Sequence, residues 1–241
     1  MAIVSALALI GLVVGLALDA LVARLAVAPG DEGGGDVAGT PRLTPAHAHG
    51  EGGSLVLTFE TTPNAWTRRL LIVGATAGVF AVAGARYDQP GHLALVTAYC
   101  SVLLLCAATD ALSYRVPNVV TYPALLGALI VGALMPDTNL LSVIAGGALA
   151  GGVLLVPALF TGGVGMGMGD VKLATFSGLA LGFVHAVPAM LFMALGGGAA
   201  ALLLLATGLR KRGEPIPYAP FISAGAIAVL LWQGAAFVDL V

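Results

Sequence analysis

Between residues 3 and 240 the chain is a series of apolar runs near the length that crosses a bilayer, joined mostly by short polar connections. A helix of about 20 residues spans the hydrocarbon core. Backbone in lipid must satisfy its own hydrogen bonds, which leaves helices and closed barrels as the spanning structures. The runs lie at 3–27, 69–85, 92–109, 119–135, 140–160, 172–184, 186–208 and 220–240. The sixth is short and is parted from the seventh only by 185–188. Charged residues make up 9% of the chain and hydrophobic ones 59%, against about 25% charged in soluble domains. The expected fold class is all-α: a polytopic membrane helix bundle of about eight transmembrane helices, with the lipid bilayer as its surroundings and no nucleic-acid partner.

The run at 3–27 has no basic residue ahead of its apolar core and no small-residue cleavage site, so it is expected to remain as the first transmembrane helix, in a segment 1–28. Lys and Arg of short loops collect on the cytoplasmic side. With eight spans and the N-terminus outside, nine of the ten basic residues fall inside: Arg24, Arg42, Arg68, Arg69, Arg115, Lys172, Arg210, Lys211 and Arg212. Arg86 alone falls outside. The protein is expected in the inner (plasma) membrane, with the loops at Asp110 and Asp170 facing the cytoplasm.

The long polar stretch, 29–68, reads as a cytoplasmic loop, Gly- and Pro-rich at first, with one weakly alternating strand at 54–60. His47 and His49 form an HxH pair, but no Cys or third His lies near enough to complete a metal site. Cys100 and Cys106 lie within one apolar run and behave as small hydrophobes. Gly11 with Gly15, and Gly147 with Gly151, are spaced as GxxxG and suit close helix approach. Arg210, Lys211 and Arg212 read as a cytoplasmic anchor.

Carboxylates in or near a membrane are costly to desolvate and are functional by default. Asp239 sits at the interface near the C-terminal end, and Asp19 has Arg24 close enough to partner it, so structural roles are expected for both. Two remain. Asp110 closes the third run in "CAATDALSYRVPNVVTYP", and Asp170 opens the sixth in "GMGMGDVKLATFSG". Both come to one side of the membrane, and two carboxyls at one site are what hydrolysis by an activated water requires: one to take a proton, one to give one. The position of each at a helix end suggests Asp170 as base and Asp110 as acid. Gly163, Gly165, Gly167 and Gly169 permit close backbone approach, so an extended peptide could lie against the loop. Lys172, two residues on, points away from the Asp170 carboxylate and snorkels to headgroups. Pro117 and Asn118 read as a turn followed by a helix N-cap.

These segments carry a resemblance. "GMGDVKL", Gly167 to Leu173, resembles the GxGDxKL form of the GxGD motif in type IV prepilin peptidases, which are intramembrane aspartic proteases. "DALSYRVPN" is similar to that family's first aspartate segment, "IPYAPFISAG" to its IPFGPF-like stretch, and "GLALDALVARL" to its N-terminal GSFLNVVIYRL, with Asp19 where Asn is usual. The three later segments occur in the family's order. Presenilin-like proteases share GxGD, but their PAL-type motif is absent. The resemblance implies an aspartic endopeptidase that removes the basic leader of prepilin or pseudopilin substrates at the cytoplasmic face. Asp110 and Asp170 would be its catalytic pair, Gly167, Gly169, Lys172, Pro117 and Asn118 its motif support, and 69–241 its peptidase core.

Bifunctional members also carry paired CxxC motifs in the cytoplasmic loop and methylate the new N-terminus using S-adenosylmethionine. Residues 29–68 contain no cysteine, which excludes that zinc site and leaves the methyl transfer open. No cofactor is expected for peptide cleavage, no metal, and S-adenosylmethionine only if methylation is retained. Asp31, Glu32, Asp36, Glu51 and Glu214 are acids that could attract a basic leader, though a solvated-loop role fits them better. The alternative from another class is a secondary transporter using the aspartates for proton or ion coupling. Against it, both aspartates lie toward one face and the two halves show no repeat.

Overall fold

In a computed structural model the described residues are 2–27, 65–136, 138–160, 166–207 and 216–240. Expectations for the 29–64 loop, including His47, His49, the 54–60 strand and its acids, fall outside them, as do Gly163, Gly165, 210–212 and Glu214. The described chain is all-α apart from one small hairpin: α1 (Ala2–Val27), α2 (Ala65–Arg86), α3 (Pro90–Ser113), α4 (Asn118–Leu134), α5 (Leu140–Phe160), α6 (Met168–Ala206), α7 (Ala219–Trp232), then β1 (Gly234–Ala235) and β2 (Val238–Asp239). Seven helices are thus delimited, and five of them, α1, α2, α3, α5 and α6, are long and apolar enough to cross a membrane. It is a multi-pass membrane helix bundle.

The pair of runs expected at 172–184 and 186–208 forms two helical stretches, numbered together as α6, that part at Gly182 and not at 185–188. Gly182 has φ 70 and ψ 172, a conformation open to glycine and disfavoured for residues with a Cβ. The chain doubles back there. Gly225 packs on Ala189 and Met193, and Gly197 packs on Phe221, so numbers rise along α7 as they fall along 183–206. Meanwhile the chain passes from the level of Asp110 at Ala219, through α7, to that of Ala180 at Ala236 in the following hairpin, in the same direction as 168–181. Irregular backbone at membrane depth requires partners inside the protein, and three groups beside the break have one. Ala236 N–H donates to the Ala180 carbonyl at 2.9 Å, and Phe183 N–H donates to Ser142 Oγ at 3.1 Å. His185 Nδ1 lies 3.3 Å from the Leu181 carbonyl. The hairpin that supplies Ala236 occupies the end of the run read as 220–240, whose helix stops at Trp232. Asp239, expected at the interface, lies 3.2 Å from His185 Nε2 and is largely exposed.

Two further expectations change. Ala65 to Arg68 belong to α2, not to the polar loop, and this helical turn presents Arg68 and Arg69 to α1. Asp19, 2% exposed, is paired with Arg68 Nε at 2.8 Å and Arg69 Nε at 3.1 Å, so its partners come from α2 and not from Arg24. Its role is structural, as expected: it ties α1 to α2 beside the close approach of Gly11 and Gly15 to Ala77 and Val73. Gly147 similarly packs on Leu179, where α5 meets α6. Cys100 and Cys106 are both buried in the central apolar cluster.

Candidate active site

Three helix ends meet at the site. α3 extends past the expected 109 to Ser113, which places Asp110 in its last turn, and the helix closes on Tyr114 in the left-handed region (φ 53), whose N–H donates to the Asp110 carbonyl at 2.8 Å. The chain then crosses to α4 in four residues, Tyr114 to Pro117. Asp170 is the third residue of α6, whose N-cap is the extended Gly167. Both aspartates are buried, with Asp110 5% and Asp170 8% exposed. The two helix ends, 60 positions apart in sequence at the acids, meet where Gly169 rests against Val116, in the connection that follows Asp110. Asp110 and Asp170 are therefore brought together.

Their surroundings differ. Asp110 Oδ2 accepts a hydrogen bond from the Ala219 backbone N–H at 3.1 Å, at the start of α7. Asp170 Oδ1 is buried with no hydrogen-bond partner among the described residues, an arrangement unusual enough in a native structure to need a reason such as catalysis or bound water. The helix-end ground for making Asp170 the base and Asp110 the acid does not hold: Asp110 ends its own helix, but its carboxyl sits on the N-terminus of another, so both acids lie at helix N-termini.

The motif residues lock these ends together. A Cβ on Gly169 would lie 2.9 Å from Val116 Cβ, so the second glycine of GMGD lets the first turn of α6 rest on the short α3–α4 connection. This is packing within the chain, where the sequence suggested room for a peptide. A Cβ on Gly167 would stand 3.5 Å from Asp170 Oδ2, an ordinary contact, so glycine here leaves the carboxyl uncovered. Pro117, not Asn118, is the N-cap of α4, and Asn118 makes no cap hydrogen bond. Its Oδ1 instead accepts from Lys172 Nζ at 2.9 Å, with the ammonium also 4.6 Å from the centre of the Tyr122 ring. Lys172, expected to snorkel to headgroups, thus has protein partners in Asn118 and Tyr122.

The Lys172–Asn118 contact is exposed, which limits its worth to about 0.5–1 kcal/mol. Lys172→Met and Asn118→Leu are each expected to lower the thermal midpoint slightly, with the double variant no worse than either single one. Additive losses in a thermal double-mutant cycle would show that the two side chains do not act as a pair.

Sequence reasoning missed Ala219. "IPYAPF" was legible as a motif, but a backbone donor leaves no trace in residue chemistry. Among the described residues no group of three His, Cys, Asp or Glu is clustered as metal ligands require. The chain's two cysteines are buried in α3, so they cannot supply the paired thiolates of a loop zinc site.

The fold and site define a multi-pass membrane protein with a paired-aspartate centre at the common end of three helices. Residues 97–205, which include both aspartates, match the model of the type IV leader peptidase family. A prepilin leader peptidase/N-methyltransferase of Bacillus subtilis (strain 168) is 35% identical over 164 residues, 65% of this chain and 63% of the relative. Proteins of the same description from Burkholderia pseudomallei strains 1026b and K96243 are 30% identical over 167 residues, 67% of this chain and 54% of theirs. The match thus spans less than two thirds of the length of these curated relatives. No solved structure matches.

Proposed function

We propose that the chain is a membrane aspartic endopeptidase that removes the leader of type IV prepilin-like proteins at the cytoplasmic face of the inner membrane. Asp110 and Asp170 are its catalytic pair, held by Gly167, Gly169, Lys172, Pro117 and Asn118 within the core at 69–241. The observation that carries this reading is the meeting of two buried carboxyls inside the segment that matches the leader peptidase family. An ionised member takes a proton from water as the water oxygen attacks the scissile carbonyl carbon, and the protonated member gives its proton to the carbonyl oxygen. Collapse of the tetrahedral intermediate breaks the C–N bond, and the leaving amine takes up a proton from the pair.

The relatives are described as prepilin leader peptidases and N-methyltransferases, which supports leader-bearing prepilins or pseudopilins as substrates. Cleavage needs no cofactor; S-adenosylmethionine enters only with N-methylation. The transporter reading finds no support in these comparisons. Co-expression with leader-bearing prepilin-like proteins, followed by mass spectrometry of their N-termini, tests the proposal and reads any methyl group in the same spectrum. Leader loss is expected, and uncut substrate across a panel of such proteins beside active enzyme controls would overturn the reading.

A further inference from the structure

We infer that the Ala219 backbone N–H is a positioning donor for Asp110, making the first turn of α7 a third wall of the active site. The inference rests on the proposed catalytic role of Asp110. It concerns a residue beyond the family-matched segment, which ends at 205.

A helix N-terminus has several amides without intrahelical partners. In α7 these are nearly all accounted for: Pro220 has no N–H, and the N–H groups of Phe221 and Ile222 donate to the Tyr218 carbonyl at 3.0 and 3.1 Å. Ala219 remains, and its N–H is 3.1 Å from Asp110 Oδ2. Ala219 is fully buried, so bulk water does not compete for this donor.

The donor is itself held in place. Ser223, one turn along α7, donates from Oγ to the Leu103 carbonyl of α3 at 2.9 Å, and Tyr87 donates from its hydroxyl to the Leu230 carbonyl near the far end of α7. α7 is therefore pinned to α3 and to the α2–α3 connection at separate levels, and its first amide is fixed relative to the carboxyl it meets. Holding Oδ2 fixes the rotation of the Asp110 carboxyl, and with it the direction in which the group can exchange a proton with water or substrate. Glycine 169 sets Asp170 from one side of the pair; Ala219 sets Asp110 from the other.

The test deletes one N–H. Cell-free synthesis into nanodiscs with a suppressor tRNA carrying lactic acid replaces Ala219 by its hydroxy-acid analogue, which keeps the methyl group and chain path. The resulting ester also weakens the Tyr218 carbonyl as an acceptor, so phenyllactic acid at Phe221 serves as the control: it loosens the same turn and leaves the donor to Asp110 intact. The ester at 219 is expected to lower kcat for leader cleavage about tenfold to a hundredfold, with KM within about twofold, the size expected for a hydrogen bond to a charged group. The ester at 221 is expected to stay within about threefold of wild type. A kcat unchanged by the ester at 219, or lowered equally by both, overturns the inference.

A second measurement does not depend on the esters folding. Tyr218–Ala219 is the one Tyr–Ala pair in the chain, so carbonyl-13C-tyrosine with 15N-alanine isolates the Ala219 amide in the NMR spectrum of the full protein. Its proton is expected downfield and to move upfield in Asp110→Ala; a signal that does not respond overturns the contact. Separately, an Asp110→Asn protein that still cleaves would remove the catalytic reading itself, an outcome distinct from either result at 219.

Discussion

Asp170→Asn is expected to lower leader cleavage by roughly 10^4-fold, and Asp110→Asn by a similar factor, because each removes one half of a proton exchange that positioned acid–base groups accelerate by about 10^2 to 10^4-fold apiece and that fails as a unit. Neither exchange should unfold the protein. Asparagine has nearly the shape of aspartate, and at 110 its amide oxygen can still accept from the Ala219 N–H. At 170 no hydrogen bond to Oδ1 is lost, since that buried atom has no partner among the described residues. The purified variants should therefore melt close to wild type while leaving a prepilin-like substrate uncut. Retention of a tenth or more of wild-type kcat/KM by either variant would show that hydrolysis does not run through the pair.

The next largest effect is expected at Gly169. A methyl group there would lie 2.9 Å from Val116 Cβ and 3.2 Å from its Cγ2, closer than such atoms pack. Either the α3–α4 connection or the first turn of α6 must move, and the two carry Asp110 and Asp170. Overpacking of this kind costs about 1–3 kcal/mol, and displacement of a catalytic group by about 1 Å can cost on the order of a hundredfold in rate. Gly169→Ala is thus expected to lose activity out of proportion to its loss of stability. Val116→Gly removes the Cβ that the new methyl group would meet, so the double variant should recover most of the rate. A Gly169→Ala enzyme with normal kcat, or a double variant no better than the single one, would place the purpose of this glycine elsewhere.

Much of the site was readable before any coordinates. Asp110 and Asp170 stood out because acids are rare among so many apolar residues, and the cost of desolvation leaves few reasons to keep one there. Two residues along a helix turn a side chain by about 200°, so the sequence suggests that Lys172 points away from its neighbouring carboxyl. Its destination was not readable. Asn118, which accepts its hydrogen bond, is 54 residues away and was taken for a helix cap, a role local sequence suggests for any Asn after a turn. The same limit applies to Asp19. Arg24 is the nearby cation, while the partners, Arg68 and Arg69, lie 49 and 50 positions from Asp19. The apolar runs suggest a break in α6 at 185–188; the chain turns at Gly182, where the backbone adopts a positive φ and where the C-terminal hairpin and Ser142 each bond a backbone group beside the turn.

The amino-acid sequence alone determined that this chain is a bundle of membrane helices and singled out two acids within it, because hydrophobic length and the rarity of charge are properties of residues counted along the chain. Tertiary structure decided who meets whom: the glycine against Val116, the lysine on Asn118, and the amide of Ala219 on Asp110. Those contacts join residues far apart in sequence through backbone atoms and exact helix placement, and neither is written in the identity of any one residue.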